Sequence, residues 1–259
     1  MIRNRFLPTE GIHNFRDYGG YSVAGGGTVK RGLLFRSGQH VAATEDDLAQ
    51  VGDLNIRTII DLRGESERGN NPCRRIEGFD AQVIAYEGET TSSPPHMDID
   101  AQTTTAEYAR QRMMGVYTRM PRNPAMIEMF SRYFRALDER DGASLVHCFA
   151  GKDRTGVAAT LLLHVLGASK DDQMEEFLLT NHAPTLDVLR AQSVPSIEQR
   201  LGRKLDEDAV RALLEVHEDY LATYLAEIET DHGSLDAFIT RTLGVDDAMR
   251  ERLRDKFVA

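Results

Sequence analysis

Val146-His147-Cys148-Phe149-Ala150-Gly151-Lys152-Asp153-Arg154-Thr155-Gly156 sets a cysteine and an arginine on either side of five residues. Behind this run, Ala143 to Val146 is short and apolar and follows the turn signal Asp141-Gly142, which predicts a buried strand. Ahead of it, Thr155 to Leu166 is apolar almost all round, which predicts a buried helix. A strand, a tight loop and a helix start in that order make an anion site. Such a loop turns backbone N–H groups inward, and the helix dipole adds partial positive charge.

The residue types fit that geometry. Arg154 offers a planar fork that matches two phosphate oxygens. Cys148 falls at the base of the cradle. Free thiols are mostly protonated at neutral pH, but helix N-termini and nearby cations favour the thiolate, so the donors that hold phosphate also activate a nucleophile. Gly151 supplies a turn position without a Cβ. The chemistry that follows is transfer of a phosphoryl group to Cys148. A cysteine with an arginine six residues later is common by chance, and a buried strand-end cysteine is usually core. The conjunction of flanking elements, His147, Gly151-Lys152 and Thr155-Gly156 separates this run from that background. A Walker A loop requires glycine at Val146 and a hydroxyl residue at Asp153, and a sulfurtransferase loop accords less well with Arg154-Thr155-Gly156.

At these residues the chain resembles the bacterial cysteine-dependent protein tyrosine phosphatases, in the branch that includes the mycobacterial tyrosine phosphatase B. Asn14-Phe15-Arg16-Asp17-Tyr18-Gly19-Gly20, Leu34-Phe35-Arg36-Ser37-Gly38 and Ile60-Asp61-Leu62-Arg63 are similar to segments of that branch in the same order. So are Tyr224 to Ile228, Gly233-Ser234 and Leu243-Gly244-Val245 near the other end. The resemblance implies hydrolysis of phosphotyrosine, extending to phosphoserine and phosphothreonine, with Phe149, Ala150, Gly151, Lys152 and Thr155 around the phosphate.

A leaving oxygen needs a proton, and Ala101 to Leu137 holds no aspartate, only Glu107 and Glu128. Attention passes to Asp153 inside the loop, the residue the resembled branch uses as acid. A phosphate dianion beside a carboxylate favours its protonated form. The plain alternative is that Asp153 braces the loop or pairs with Arg154. Asp61 is the other candidate acid, or an acceptor for Arg154, since it emerges at the carboxyl end of a predicted strand. Arg63 is read either as a substrate-phosphate ligand or as a partner of Glu65 or Glu67. Lys152 is read as charge for additional phosphates on a phosphoinositide, against a solvated lysine. Thr155 is either a hydroxyl that helps the thiolate leave or a helix cap. His147 is given a supporting role, holding the loop.

The remaining residues bound the answer. The chain of 259 residues is 41% hydrophobic, enough for one α/β domain over 1–259. Predicted strands at Gly32 to Phe35, Thr58 to Asp61, Ala81 to Ala85 and Ser144 to His147 alternate with helical patterns, which implies a mainly parallel sheet flanked by helices. Thr44 begins a helix to about Val51, and helices are read over Ala106 to Met120, Asn123 to Glu139, Glu207 to Asp231, Ser234 to Leu243 and Asp246 to Phe257. A hairpin is read at Gly25-Gly26-Gly27, and a polar loop over Glu87 to Thr105. Seven arginines against four acids from Glu107 to Arg140 suggest a basic lid, placed at about 87–122, as an insertion in the resembled branch; a solvated face explains them equally well. Residues 205–259 form an acidic helical region, with fourteen acids against six bases.

Net charge of −10 argues against nonspecific nucleic-acid binding. The beginning of the chain carries no signal-peptide pattern, no run is long enough to span a membrane, and Cys73 is the sole companion of Cys148. A reducing cytoplasm is the expected compartment, with export by a route lacking an N-terminal signal still open. Histidine spacing gives no metal site, and covalent cysteine chemistry requires no cofactor. The expected partner is a phosphorylated protein or a phosphoinositide. A phosphate-binding pseudoenzyme is the alternative outside catalysis.

Overall fold

The computed structural model describes residues 5–90 and 105–259. Five strands, β1 (Arg16–Asp17), β2 (Leu34–Ser37), β3 (Ile56–Asp61), β4 (Gln82–Ala85) and β5 (Ala143–His147), form a sheet in the order β1-β2-β5-β3-β4. The pairs β2·β5, β5·β3 and β3·β4 are parallel, and only the edge strand β1 runs antiparallel. Every residue of β5 is buried, as a strand covered on both faces requires. Side-chain alternation divides its residues between two cores. Val146, Ile60 and Leu34 face the larger cluster, while Leu145, Ile59 and Phe35 face the smaller one.

Eleven helices are present among the described residues: α1 (Glu45–Asp53), α2 (Glu65–Asn70), α3 (Ala106–Arg119), α4 (Pro124–Glu139), α5 (Asp153–Leu166), α6 (Lys170–Leu178), α7 (Leu186–Leu201), α8 (Glu207–Leu214), α9 (Glu218–His232), α10 (Leu235–Arg241) and α11 (Asp247–Phe257). Their starts follow local chemistry. Thr44 and Asp47 form a reciprocal capping box at α1, and Asn123 caps α4 with Pro124 in its first turn. The mainly parallel α/β architecture is the one the alternating pattern implied.

Some elements differ from the sequence reading. The expected helix over Glu207 to Asp231 is two helices, because Glu215 and His217 are extended and buried Val216 anchors the break. The helices α6 and α7 carry no clear apolar stripe; α7 even contains Pro195. The helix α4 is a core element, with Met126, Met129, Phe130, Tyr133, Phe134 and Leu137 all buried, so its arginines lie on an outer face and not on a lid. The acidic helices pack on the larger core through Tyr220, Tyr224, Ile228, Phe238, Ile239, Leu253 and Phe257. Most of the polar loop read over 87–105 lies outside the described residues.

The position of β5 matters most for the site. It lies between β2 and β3, with His147 in register with Ser37 on one side and Asp61 on the other. The chain therefore leaves the sheet at its middle, at the carboxyl ends of the strands, where open α/β sheets bind ligands.

Candidate active site

Residues 148–152 bridge β5 and α5. The helix begins two residues before the Thr155 start read from sequence, which puts Asp153 and Arg154 in its first turn. Among the described residues no side chain caps this helix, so its orphan N–H groups meet no side-chain acceptor there. Gly151 has φ of 65°, and a Cβ there would lie 2.3 Å from the Ser37 carbonyl carbon and 2.5 Å from the Gly38 nitrogen. Only glycine satisfies both the left-handed backbone and that approach.

The back of the loop is braced by residues remote in sequence. The Gly151 carbonyl accepts from Asn14 Nδ2 and Arg36 Nη2, each at 2.8 Å, and Gln39 N–H donates to the Phe149 carbonyl at 2.9 Å. Glu176 of α6 is 1% exposed. It accepts from Arg16 Nε (2.7 Å), Arg36 Nη1 (3.2 Å) and the Tyr21 hydroxyl (3.1 Å). Two buried guanidinium groups thus share one carboxylate beneath the 148–152 loop.

Arg154 is held by a buried carboxylate that is not the one foreseen. Its Nη1 and Nη2 donate to Glu67 Oε2 and Oε1 at 2.6 and 2.9 Å, with further contacts to the Leu62 carbonyl and Thr90 Oγ1. Burial alone would lower the guanidinium pKa, but the Glu67 charge and hydrogen bonds outweigh it and raise the pKa above its ordinary range. Glu67 Oε2 also accepts from Gly64 N–H at 3.0 Å, which anchors the carboxylate in turn.

Asp61 and Arg63 do not enter the cradle. They bond to each other, Nε to Oδ1 at 2.9 Å and Nη2 to Oδ2 at 2.7 Å, and both are nearly fully buried. Arg63 also reaches Gln39, the Asn71 carbonyl and Cys73 Sγ. Burial would raise the Asp61 pKa, but His147 and Arg63 bring it down to about 2. The His147 pKa is itself lowered to about 4, mainly by burial. At neutral pH that ring is uncharged, and Arg63 carries the effect on Asp61. Asp61 is an ionised partner of Arg63, a state unsuited to donating a proton at neutral pH. The donor atoms of Asp61, Cys73 and His147 lie within 4.8 Å of one another, the one such cluster among the described residues. Two of these three groups already accept from the Arg63 guanidinium, which supplies there the positive charge a metal would bring.

Lys152 is turned to a use that sequence did not suggest. It is 4% exposed, and its Nζ donates to the carbonyls of Leu213 (2.6 Å) and Glu215 (3.3 Å) at the end of α8. The negative end of a helix dipole is a favourable place for an ammonium group. Asp153 Oδ1 accepts from the Tyr117 hydroxyl of α3 at 2.7 Å and lies 3.5 Å from Lys152 Nζ. Thr155 is fully buried, and its hydroxyl makes no hydrogen bond among the described residues.

A cavity of about 660 Å³ opens over this loop, lined by Cys148, Phe149, Ala150, Lys152, Asp153 and Arg154. Its walls are largely apolar: Met113 and Val116 of α3, Met120 just before α4, Met126 of α4, Leu189 and Ile197 of α7, and Leu213 and Leu214 of α8. The cavity walls therefore come from α7 and α8 as well as from α3, the segment read as part of a lid. Sequence reasoning missed Tyr117 and Glu176, and gave Glu67 to the wrong arginine. The spacing of Gly64 and Glu67, a helix-start signature, is the one local signal that marked Glu67.

The sequence matches the tyrosine phosphatase family over residues 7–259. It is 30% identical to a Cupriavidus necator protein named as a tyrosine-protein phosphatase, across 98% of this chain and 88% of that one. It is 26% identical to the triple specificity protein phosphatase PtpB of Mycobacterium tuberculosis, across 96% and 97% of the two chains. A tyrosine-protein phosphatase of Nostoc commune is 30% identical over 54% of this chain and 45% of its own. No helix among the described residues is long and apolar enough to cross a membrane.

Proposed function

The chain belongs to the tyrosine phosphatase family, and on that premise we propose that it hydrolyses phosphotyrosine in proteins through a cysteinyl-phosphate intermediate. The observation that carries this reading is the convergence of Cys148, Asp153 and Arg154 on one cavity at the uncapped start of α5. The Cys148 thiolate attacks phosphorus in line. As the P–O ester bond breaks, its electron pair goes to the leaving oxygen, which takes a proton from Asp153. Arg154 and the first-turn N–H groups stabilise the equatorial oxygens, with Glu67 fixing the fork beforehand. Water then attacks the phosphoenzyme, Asp153 takes its proton, and inorganic phosphate and the thiolate are released.

Apolar walls suit an aryl group next to the phosphate. The phosphoinositide alternative depended on a lysine available to further phosphates, and Lys152 is committed to α8 carbonyls. Activity on phosphoserine and phosphothreonine accords with the triple specificity named for the Mycobacterium tuberculosis relative. The helices α3, α7 and α8 would act as the cover over the loop, and a reducing compartment such as the cytoplasm would keep Cys148 a thiol.

Phosphate release from p-nitrophenyl phosphate and phosphotyrosine peptide tests the reading. The unmodified protein is expected to turn over, and Cys148→Ser to lose activity with both. Retained activity in Cys148→Ser would remove the nucleophile from the account. Phosphate binding without turnover by the unmodified protein would establish the pseudoenzyme instead.

A further inference from the structure

We infer that Tyr117 is a positioning residue for the proton donor: its hydroxyl holds Oδ1 of Asp153 and so leaves Oδ2 to carry and deliver the proton. The inference rests on Asp153 being the acid and adds which oxygen acts and what orients it. The Tyr117 hydroxyl donates to Oδ1 at 2.7 Å, and Lys152 Nζ approaches the same oxygen at 3.5 Å. Oδ2 makes no hydrogen bond or ion pair among the described residues. A carboxylic acid carries one proton, and on Oδ1 that proton would face both the Tyr117 hydroxyl hydrogen and the Lys152 ammonium, so it is favoured on Oδ2, which meets neither donor.

The ring that sets this arrangement is fixed. Tyr117 is fully buried, stacks on Tyr220 at 5.5 Å between ring centroids, and meets Phe177 edge-on at 6.2 Å. Burial, and then the charge of Asp153, push its hydroxyl well above the ordinary tyrosine pKa. It therefore stays a donor throughout the working range. In the first step the Oδ2 proton goes to the ester oxygen as the P–O bond breaks, and the new negative charge is met at Oδ1 by Tyr117. In the second step a proton from the attacking water returns to Oδ2.

The test is Tyr117→Phe, made alone and in Asp153→Asn, with p-nitrophenyl phosphate and phenyl phosphate as substrates. The good leaving group of the first needs little protonation, and that of the second depends on it. Tyr117→Phe is expected to lower kcat/KM on phenyl phosphate, which reports phosphoryl transfer to Cys148 and not the second step shared by both substrates, by about ten- to a hundred-fold, the worth of one hydrogen bond to a charged group. On p-nitrophenyl phosphate the loss is expected to stay within about three-fold, and in Asp153→Asn no further selective loss is expected. An equal loss on both substrates, or a selective loss that persists in Asp153→Asn, would show a merely structural role and overturn the inference. If Asp153→Asn is itself indifferent to the leaving group, the acid assignment fails; if it is selective and Tyr117→Phe is not, only the positioning role fails. Should Tyr117→Phe not fold, 3-fluorotyrosine at position 117 keeps the shape and strengthens the donor. It is expected to change kcat/KM on phenyl phosphate alone, and no change, or an equal relative change on both substrates, would again overturn the inference.

Discussion

Glu67→Gln is the sharpest perturbation of the Arg154 fork that the proposed mechanism sets against phosphate. The carboxylate meets Arg154 through two hydrogen bonds of 2.6 and 2.9 Å, with both side chains about 5% exposed or less. A glutamine has the same shape but turns one acceptor into an N–H₂ donor facing a guanidinium N–H. One bond is lost, one donor pair is opposed, and a buried cation loses its counter-ion. Breaking one partner of a buried pair costs about 3–5 kcal/mol. The remaining amide oxygen and the contacts to Leu62 and Thr90 retain part of the hold, so about 3 kcal/mol of stability is the expected loss. Catalysis suffers because the fork is no longer fixed before phosphate arrives. If about 3 kcal/mol of that orientation is missing from the transition state, kcat/KM on an aryl phosphate falls by about a hundred-fold. Urea unfolding and steady-state kinetics read the two effects, with Glu65→Gln on the exposed side of α2 as a control. Wild-type kcat/KM in a folded Glu67→Gln protein would refute the claim that this carboxylate presents Arg154.

Gly151→Ala adds a Cβ 2.3 Å from the Ser37 carbonyl carbon on a backbone with φ of 65°; the left-handed penalty alone is about 1–2 kcal/mol. The loop is expected to shift, with at least about a hundred-fold loss of kcat/KM, and kinetics within a few-fold of wild type would contradict the close approach. Lys152→Met removes the two bonds to the end of α8, so amide hydrogen exchange over residues 207–215 is expected to speed up relative to α4; unchanged rates would mean that the lysine does not hold the helix. Burial lowers the pKa values of His13 and His147 to about 4, whereas the unfolded chain takes up these protons near 6.5. The unfolded state therefore binds more protons between about pH 6.5 and 4. Stability should fall as pH drops through that window, by roughly 1 kcal/mol per pH unit for each histidine. Urea midpoints at pH 7, 6 and 5 check this, with a shallower slope for His147→Gln, and a flat profile would remove the buried neutral imidazoles from the account.

The part of the site legible in the sequence was the part built from near neighbours. Cys148, Gly151 and Arg154 could be read together because cysteine, turn and guanidinium fork lie in one stretch between a strand and the first turn of a helix. The central strands were legible for a similar reason, since burial on both faces of a parallel sheet leaves continuous apolar runs such as Ile59-Ile60 and Leu145-Val146. The supporting groups were not. Glu67 pairs with Arg154 across 87 residues and Tyr117 with Asp153 across 36, and no periodicity marks a pairing made by tertiary packing. Asn14, Arg16 and Arg36 fell within the segments similar to the phosphatase branch, yet only their contacts with Gly151 and Glu176 explain what they do. Lys152 was read as charge for further phosphates or as a solvated lysine, because nothing in the sequence shows that the end of α8 is placed over its ammonium group.

The triad of Arg16, Arg36 and Glu176 also bears on how the chain is made. Its two guanidinium groups precede their common carboxylate by 160 and 140 residues. At ~5–20 residues per second, a nascent chain waits on the order of ten to thirty seconds between presenting the arginines and supplying their counter-ion. During that interval β1 and β2 carry two uncompensated charges that oppose burial. The floor beneath the 148–152 loop can therefore close only after α6 has left the ribosome, so completion of the candidate site is a late event in synthesis even though its first braces lie within residues 14–39.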